Sequence, residues 1–248
     1  MRNSLLRLAF VLALTGSGLA SADTIRVAVA SNFVDPLRPI AQHFEAGTGH
    51  TVILSPGSTG KLFAQIVNGA PFDAFLAADT ERPARLERDG LAVPGSRFTY
   101  AVGRLMLWSP RPGYVDDQGT VLETGRFRYL AIANPELAPY GRAAREVLES
   151  RGLWNALQGR LVRGENIGQA FQFVNSGNAE LGFLAYAQIR RPGHTVAGSG
   201  WLVPQSLHAP IAQQAVLLKH HDAARAFLLF LRSETATEIL RGFGYGKP

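Results

Sequence analysis

Short apolar runs alternate with amphipathic helical stretches along most of this chain, and that alternation restricts the possible folds more than any other feature. Thr24 to Ala30, rich in Val, Ile and Ala, reads as a buried strand. Asp35-Pro36 opens a helix whose apolar positions Leu37, Ile40, Ala41 and Phe44 fall on one face, with proline in the first turn where it is tolerated. Gly47 and Gly49 end that helix, and Thr51 to Leu54 gives a second strand. Gly57-Ser58-Thr59-Gly60 then turns into a helix with Leu62, Phe63, Ile66 and Val67 on one side. Phe72 to Ala77 predicts a third strand and Glu81 to Asp89 a third helix. This order argues for a parallel α/β sheet.

The pattern then changes. Phe98 to Trp108 predicts one long strand, broken by Pro110 and Pro112. A second α/β unit follows: strand Tyr129 to Ala133, helix Tyr140 to Arg151, helix Ile167 to Ser176 and strand Gly182 to Ala185. Ala215 to Lys219 reads as a last strand, followed by helices Ala223 to Leu231 and Thr235 to Arg241. Two extended crossings and a helical tail predict two lobes, the first interrupted by the second. The expected division is 23–100 for the first lobe, 101–211 for the second and 212–248 for the return. A ligand would sit in the cleft between them.

Residues 1–22 read as a signal peptide. Arg2 and Arg7 precede the apolar run Leu8 to Leu14, and Ala20-Ser21-Ala22 supplies small residues for cleavage after Ala22. The run is too short for a permanent membrane helix. The expectation is export to a bacterial periplasm. The 248-residue chain carries 25 Lys+Arg against 19 Asp+Glu and has no cysteine. That excludes disulfides, thiolate zinc sites and cysteine nucleophiles. The basic residues are scattered singly, with no cluster longer than Arg190-Arg191, so the positive charge reads as a solvated surface and not as a nucleic-acid groove.

Four strand-to-helix turns offer one chemistry. They are Ser31-Asn32 and Gly57-Ser58-Thr59-Gly60 in the first lobe, Pro139-Tyr140-Gly141 and Asn166-Ile167-Gly168 in the second. A helix N-terminus carries unsatisfied N–H groups and about half a positive charge, which attracts anions. Hydroxyls add donors, and glycine permits close backbone approach. Each turn alone would serve equally well as an ordinary helix cap. Gly-Ser-Thr-Gly-Lys is not a Walker phosphate loop, because Ser55 stands where its first glycine belongs and Leu62 where its Ser/Thr belongs.

The runs Val27-Ala28-Val29-Ala30-Ser31-Asn32-Phe33, Gly57-Ser58-Thr59-Gly60 with Ala64-Gln65-Ile66, and Gly69-Ala70-Pro71-Phe72-Asp73 resemble the periplasmic molybdate-binding proteins. So do Phe75-Leu76-Ala77-Ala78-Asp79, Asn134-Pro135-Glu136, Ala138-Pro139-Tyr140-Gly141 and Gly182-Phe183. The resemblance spans essentially the whole mature chain in order. It implies a type II periplasmic binding protein fold, two α/β lobes closing on a tetrahedral oxyanion, molybdate or tungstate. It further implies delivery to an inner-membrane ABC permease with its ATPase, by a monomer with no cofactor and no directly coordinated metal. The oxyanion ligands it implies are Ser31, Asn32, the Ser58-Thr59 pair, Tyr140, and Ile167 through its backbone N–H. Thr59 is favoured over Ser58 by its spacing from the helix. Some members carry a ligand tyrosine after the Leu-Gly pair late in the second lobe. The matching position here is Ala185, with Tyr186 one step late and, in a strand, on the opposite face. Tyr186 is therefore left out.

A pocket of donors alone suits a fully deprotonated dianion. Phosphate near neutral pH keeps a proton that needs an acceptor, and the nearest carboxylates are Glu165 and Asp35. Sulfate, thiosulfate or chromate is the alternative ligand class. The sequence lacks a Gly-x-Ser-x-Gly elbow and a His-Glu-x-x-His helix, and its six histidines are dispersed, so an enzyme is not expected. An iron binder would want clustered Tyr, His and carboxylate ligands, and only Tyr140 falls on a motif turn.

Overall fold

The computed structural model describes residues 22–247; the expected signal peptide, Ala22 apart, lies outside them. Among the described residues, ten strands form two five-stranded sheets. The first has the order β2-β1-β3-β10-β4, built from β1 (Thr24–Ala30), β2 (Thr51–Gly57), β3 (Ala74–Ala77), β4 (Phe98–Gly103) and β10 (Ile211–Leu217). The second has the order β7-β6-β8-β5-β9, built from β5 (Leu105–Ser109), β6 (Leu130–Ala133), β7 (Leu161–Gly164), β8 (Leu181–Ala185) and β9 (Ser199–Leu202).

Neither sheet is purely parallel. Strands β1, β2 and β3 run parallel, as do β6, β7 and β8, but β10 is antiparallel to β3 and β4, and β5 is antiparallel to β8 and β9. The long strand expected over Phe98 to Trp108 is two strands in different sheets, with Arg104 between them. Strand alternation encodes burial but not sheet membership, which is why a continuous apolar run concealed the crossing. The first sheet keeps the chain through Gly103 and takes it back at Ile211, which pairs with Gly103.

The α-helices among the described residues are α1 (Val34–Thr48), α2 (Thr59–Val67), α3 (Glu81–Arg88), α4 (Val121–Thr124), α5 (Pro139–Ser150), α6 (Trp154–Leu157), α7 (Ile167–Asn175), α8 (Tyr186–Ile189), α9 (Asp222–Phe230) and α10 (Glu234–Gly242). Strands β3, β6 and β8 are buried along their whole length, as expected of inner strands covered by helices on both faces. Leu37, Ile40, Ala41 and Phe44 of α1 are buried, and Gly49 ends the helix in the left-handed conformation at φ 75°. Each sheet has its own core. Val27, Val29, Phe33 and Phe227 belong to the first, and Leu107, Ile132, Val147 and Phe183 to the second. Tyr186 opens α8 and does not continue the strand; its ring lies under the Arg104 guanidinium, 5.3 Å away.

Candidate functional site

In both sheets the parallel strands deliver their C-terminal ends to the same cleft, the usual ligand side of an open α/β sheet. Strand β1 runs into a 3-10 turn at Ser31–Phe33, and β2 runs into Ser58, the N-cap of α2. Beyond β6 the chain turns through Asn134 into α5, with Pro139 at its start and Tyr140 next; β7 leads to Asn166, the N-cap of α7, and then Ile167. The strands' apolar runs thus fix where the polar turns meet.

The lobes touch directly across this cleft. Gly168 N–H of α7 donates to Ser31 Oγ at 3.2 Å, and Gly60 N–H of α2 donates to the Leu137 carbonyl at 2.8 Å. Gln213 Nε2 on β10 donates to Tyr140 Oη at 3.2 Å. At the solvent edge Lys61 Nζ bridges Glu165 at 3.0 Å, so this carboxylate beside α7 is paired with a cation.

The hydroxyls share one property. Ser31 Oγ accepts from Gly168 N–H, Ser58 Oγ accepts from Lys61 N–H at 3.3 Å, and Thr59 Oγ1 accepts from Ala78 N–H at 3.1 Å. None of the three donates to another described residue. A hydroxyl whose lone pair already holds an N–H keeps its own proton to give. Ile167 is the first residue of α7, so its N–H has no partner within the helix. Its carbonyl accepts from the buried Gln188 Nε2 at 3.3 Å.

Asn32 differs from the others. Its side chain is buried and its Nδ2 donates inward, to Gln213 Oε1 at 2.9 Å and Tyr245 Oη at 3.0 Å. Its amide therefore supports the cleft from beneath. Tyr140 is also buried, at 2% exposure. Burial pushes the Tyr140 and Tyr100 hydroxyls well above the usual tyrosine range, and Tyr245 upward as well, so all three stay protonated near neutrality.

Sequence reasoning missed Gln213, Tyr100, Tyr245 and Gly103. Tyr100 Oη lies 3.0 Å from both the Ala77 carbonyl and Gln213 Oε1, and Tyr245 Oη donates to the Asn32 carbonyl at 3.1 Å. A Cβ at Gly103 would overlap both Tyr140 Oη and Gln213 Nε2, so only glycine lets that pair meet at the crossing. The available signal was Gln213-Gln214, a polar pair inside the apolar run Ile211 to Leu217.

The model of a family described as bacterial extracellular solute-binding protein matches residues 25–246. The chain belongs to that family. Among its relatives is the molybdate-binding protein ModA of Azotobacter vinelandii, 52% identical over 238 residues that cover 93% of this chain and 94% of the relative. The molybdate-binding protein ModA of Rhodobacter capsulatus is 48% identical, covering 91% and 89% of the two chains. Among solved structures, the periplasmic molybdate-binding protein of Azotobacter vinelandii superposes with a TM-score of 0.88 at 43% identity, covering 90% of this chain and 99% of that one. The sulfate-binding protein SubI of Mycobacterium tuberculosis, at 15% identity and a TM-score of 0.70, shares the fold alone. Together these comparisons establish a two-lobed periplasmic binding protein fold and an extracytoplasmic solute-binding family.

Proposed function

We propose that this protein captures molybdate or tungstate between its two lobes in the periplasm and hands it to an inner-membrane ABC permease with its ATPase. It acts as a monomer and a carrier, with no catalytic step and no cofactor. The proposed ligands are the hydroxyls of Ser31, Ser58, Thr59 and Tyr140, with backbone N–H groups of the Asn32 turn and of Ile167. Its export signal is residues 1–22, cleaved after Ala22.

One observation carries this reading: the oxygens of Ser31, Ser58, Thr59 and Tyr140 each already accept a hydrogen bond from the protein. What they present to a ligand is donors. A dianion without protons, such as molybdate or tungstate, satisfies them, and the helix dipoles of α2, α5 and α7 add favourable potential. A monoprotonated phosphate would bury its proton without an acceptor, at a cost of about 1–3 kcal/mol. Glu165, one candidate acceptor, is paired with Lys61, and Asp79, next to Ala78, is paired with Arg82. The two ModA relatives named above support the choice of molybdate over sulfate.

The test is calorimetric titration of residues 23–248 with molybdate, tungstate, sulfate and phosphate in a non-phosphate buffer. The expected result is one-to-one binding of the first two, with sulfate about a hundredfold weaker, roughly 2.7 kcal/mol. Equal or tighter sulfate binding would reassign the ligand, and no binding of any of the four would end the oxyanion reading.

A further inference from the structure

Gln213 is wholly buried on β10, where the pairing with β4 shifts register between Gln213 and Gln214. Such irregularities re-aim side chains, and here the amide reaches both lobes. Its Oε1 accepts from Asn32 Nδ2 at 2.9 Å and from Tyr100 Oη at 3.0 Å, both in the first lobe. Its Nε2 donates to Tyr140 Oη of the second lobe at 3.2 Å.

An amide has one accepting and one donating end, so its orientation decides what its neighbours must do. With Nε2 toward Tyr140, the tyrosine oxygen accepts and its single proton is left for another acceptor. Reversed, Tyr140 would spend that proton on Gln213 and turn a lone pair toward the cleft. Asn32 Nδ2 opposes the reversal because it donates at once to Gln213 Oε1 and to Tyr245 Oη, whose own proton goes to the Asn32 carbonyl.

We propose that Gln213 is a positioning residue that fixes the hydrogen-bond polarity of Tyr140, making it a donor to the anion and so selecting unprotonated oxyanions over protonated ones. This rests on the reading of Tyr140 as a ligand given above. Gln213 itself touches no ligand; it acts through Tyr140, and Asn32 acts through Gln213.

The experiment is molybdate and phosphate titration of the wild type, Tyr140→Phe, Gln213→Met and the double variant, with thermal melts to check folding. Tyr140→Phe should weaken molybdate about tenfold or more. Gln213→Met should weaken it about tenfold and narrow the preference over phosphate, yet cost less than about twofold when Phe already stands at 140. Gln213→Glu adds a readout that a packing role would not move. Between pH 5.5 and 8.5 the wild type should bind with constant affinity. The Glu variant should bind well at the acid end, where a neutral carboxyl can donate to Tyr140, and lose about a hundredfold as it ionises. That pH profile also decides the matter if the Met variant does not fold. Equal losses from Gln213→Met in both backgrounds, or a flat profile for Gln213→Glu, would overturn the proposal and leave the site reading standing. No effect from Tyr140→Phe would remove both.

Discussion

Replacing Gly60 by alanine should move stability and affinity in opposite directions. Gly60 lies in the first turn of α2 and does not have the positive φ that would require glycine. Alanine there stabilises a helix relative to glycine by up to about 1 kcal/mol. Across the cleft the same methyl group meets an obstacle. A Cβ at residue 60 would lie 3.0 Å from the Leu137 carbonyl oxygen and 3.2 Å from Leu137 Cα, against ordinary contacts of 3.4–4 Å. Leu137 is main chain held in its own turn, its N–H donating to the Asn134 carbonyl at 3.1 Å, so it yields little. The lobes must then separate by a few tenths of an ångström, stretching the 2.8 Å bond from Gly60 N–H to Leu137. Overpacking of this kind costs about 1–3 kcal/mol, and the lower half of that range corresponds to a loss of affinity of about five- to thirtyfold. The assay pairs thermal unfolding without ligand against molybdate calorimetry. The expected result is an unchanged or higher midpoint for the unliganded variant with weaker binding. Affinity within twofold of wild type would refute closure across Gly60 and Leu137. A lowered midpoint without ligand would mean that the clash lies inside one lobe.

Three further outcomes follow from the same geometry. Thr59→Ala removes a proposed ligand hydroxyl and also the acceptor of the buried Ala78 N–H, so it should cost about 1–3 kcal/mol in both binding and unfolding free energy; Thr59→Ser, which keeps the oxygen, should recover most of both in calorimetry and urea melts. The buried tyrosines Tyr100, Tyr140 and Tyr245 hold their protons above the usual range, so above about pH 10 the unfolded chain binds fewer protons than the native one. Stability from this source is fully present below pH 10 and falls above it, by about 1.4 kcal/mol per pH unit for each tyrosine that stays protonated. Urea midpoints at pH 9, 10 and 11 check this, and Tyr245→Phe should flatten the decline. The Lys61–Glu165 bridge has half-exposed partners, so Lys61→Gln should weaken molybdate binding by no more than about 1 kcal/mol, an effect that titrations at rising salt should erase.

The turns of the candidate site that follow apolar strands were legible from the sequence. Ser31, Ser58 and Tyr140 each follow a recognisable strand and stand at a helix start, whereas Ile167 was legible only from the capping Asn166 before it; strand periodicity and capping residues are local signals. The second layer was not legible. Gln213 falls where glutamine reads as the end of a strand, so the sequence starts that strand at Ala215, whereas β10 begins at Ile211. Only the partners Asn32, Tyr100 and Tyr140, far away in the chain, make a buried amide there tolerable. The short strands β7 and β9 escaped notice because Leu161–Gly164 and Ser199–Leu202 carry too few apolar positions to show a period. Gly103 looked like an ordinary residue in a long strand, and its meaning depends on Tyr140 arriving from the other lobe.

The insertion of β10 between β3 and β4 also governs the order in which the molecule can be assembled. A chain emerging from its N-terminus completes every strand of the second sheet by Leu202, while the first sheet remains two separate pieces until residues 211–217 appear. The half that is made first is therefore finished last, through pairings of long sequence separation that form slowly. Over that interval β3 and β4 lack their shared neighbour, and the polar cluster around Asn32 lacks Gln213. In a polypeptide with this connectivity the first lobe cannot close on itself until residues 211–217 have been delivered, so its early strands stay available to unfold and move for most of synthesis.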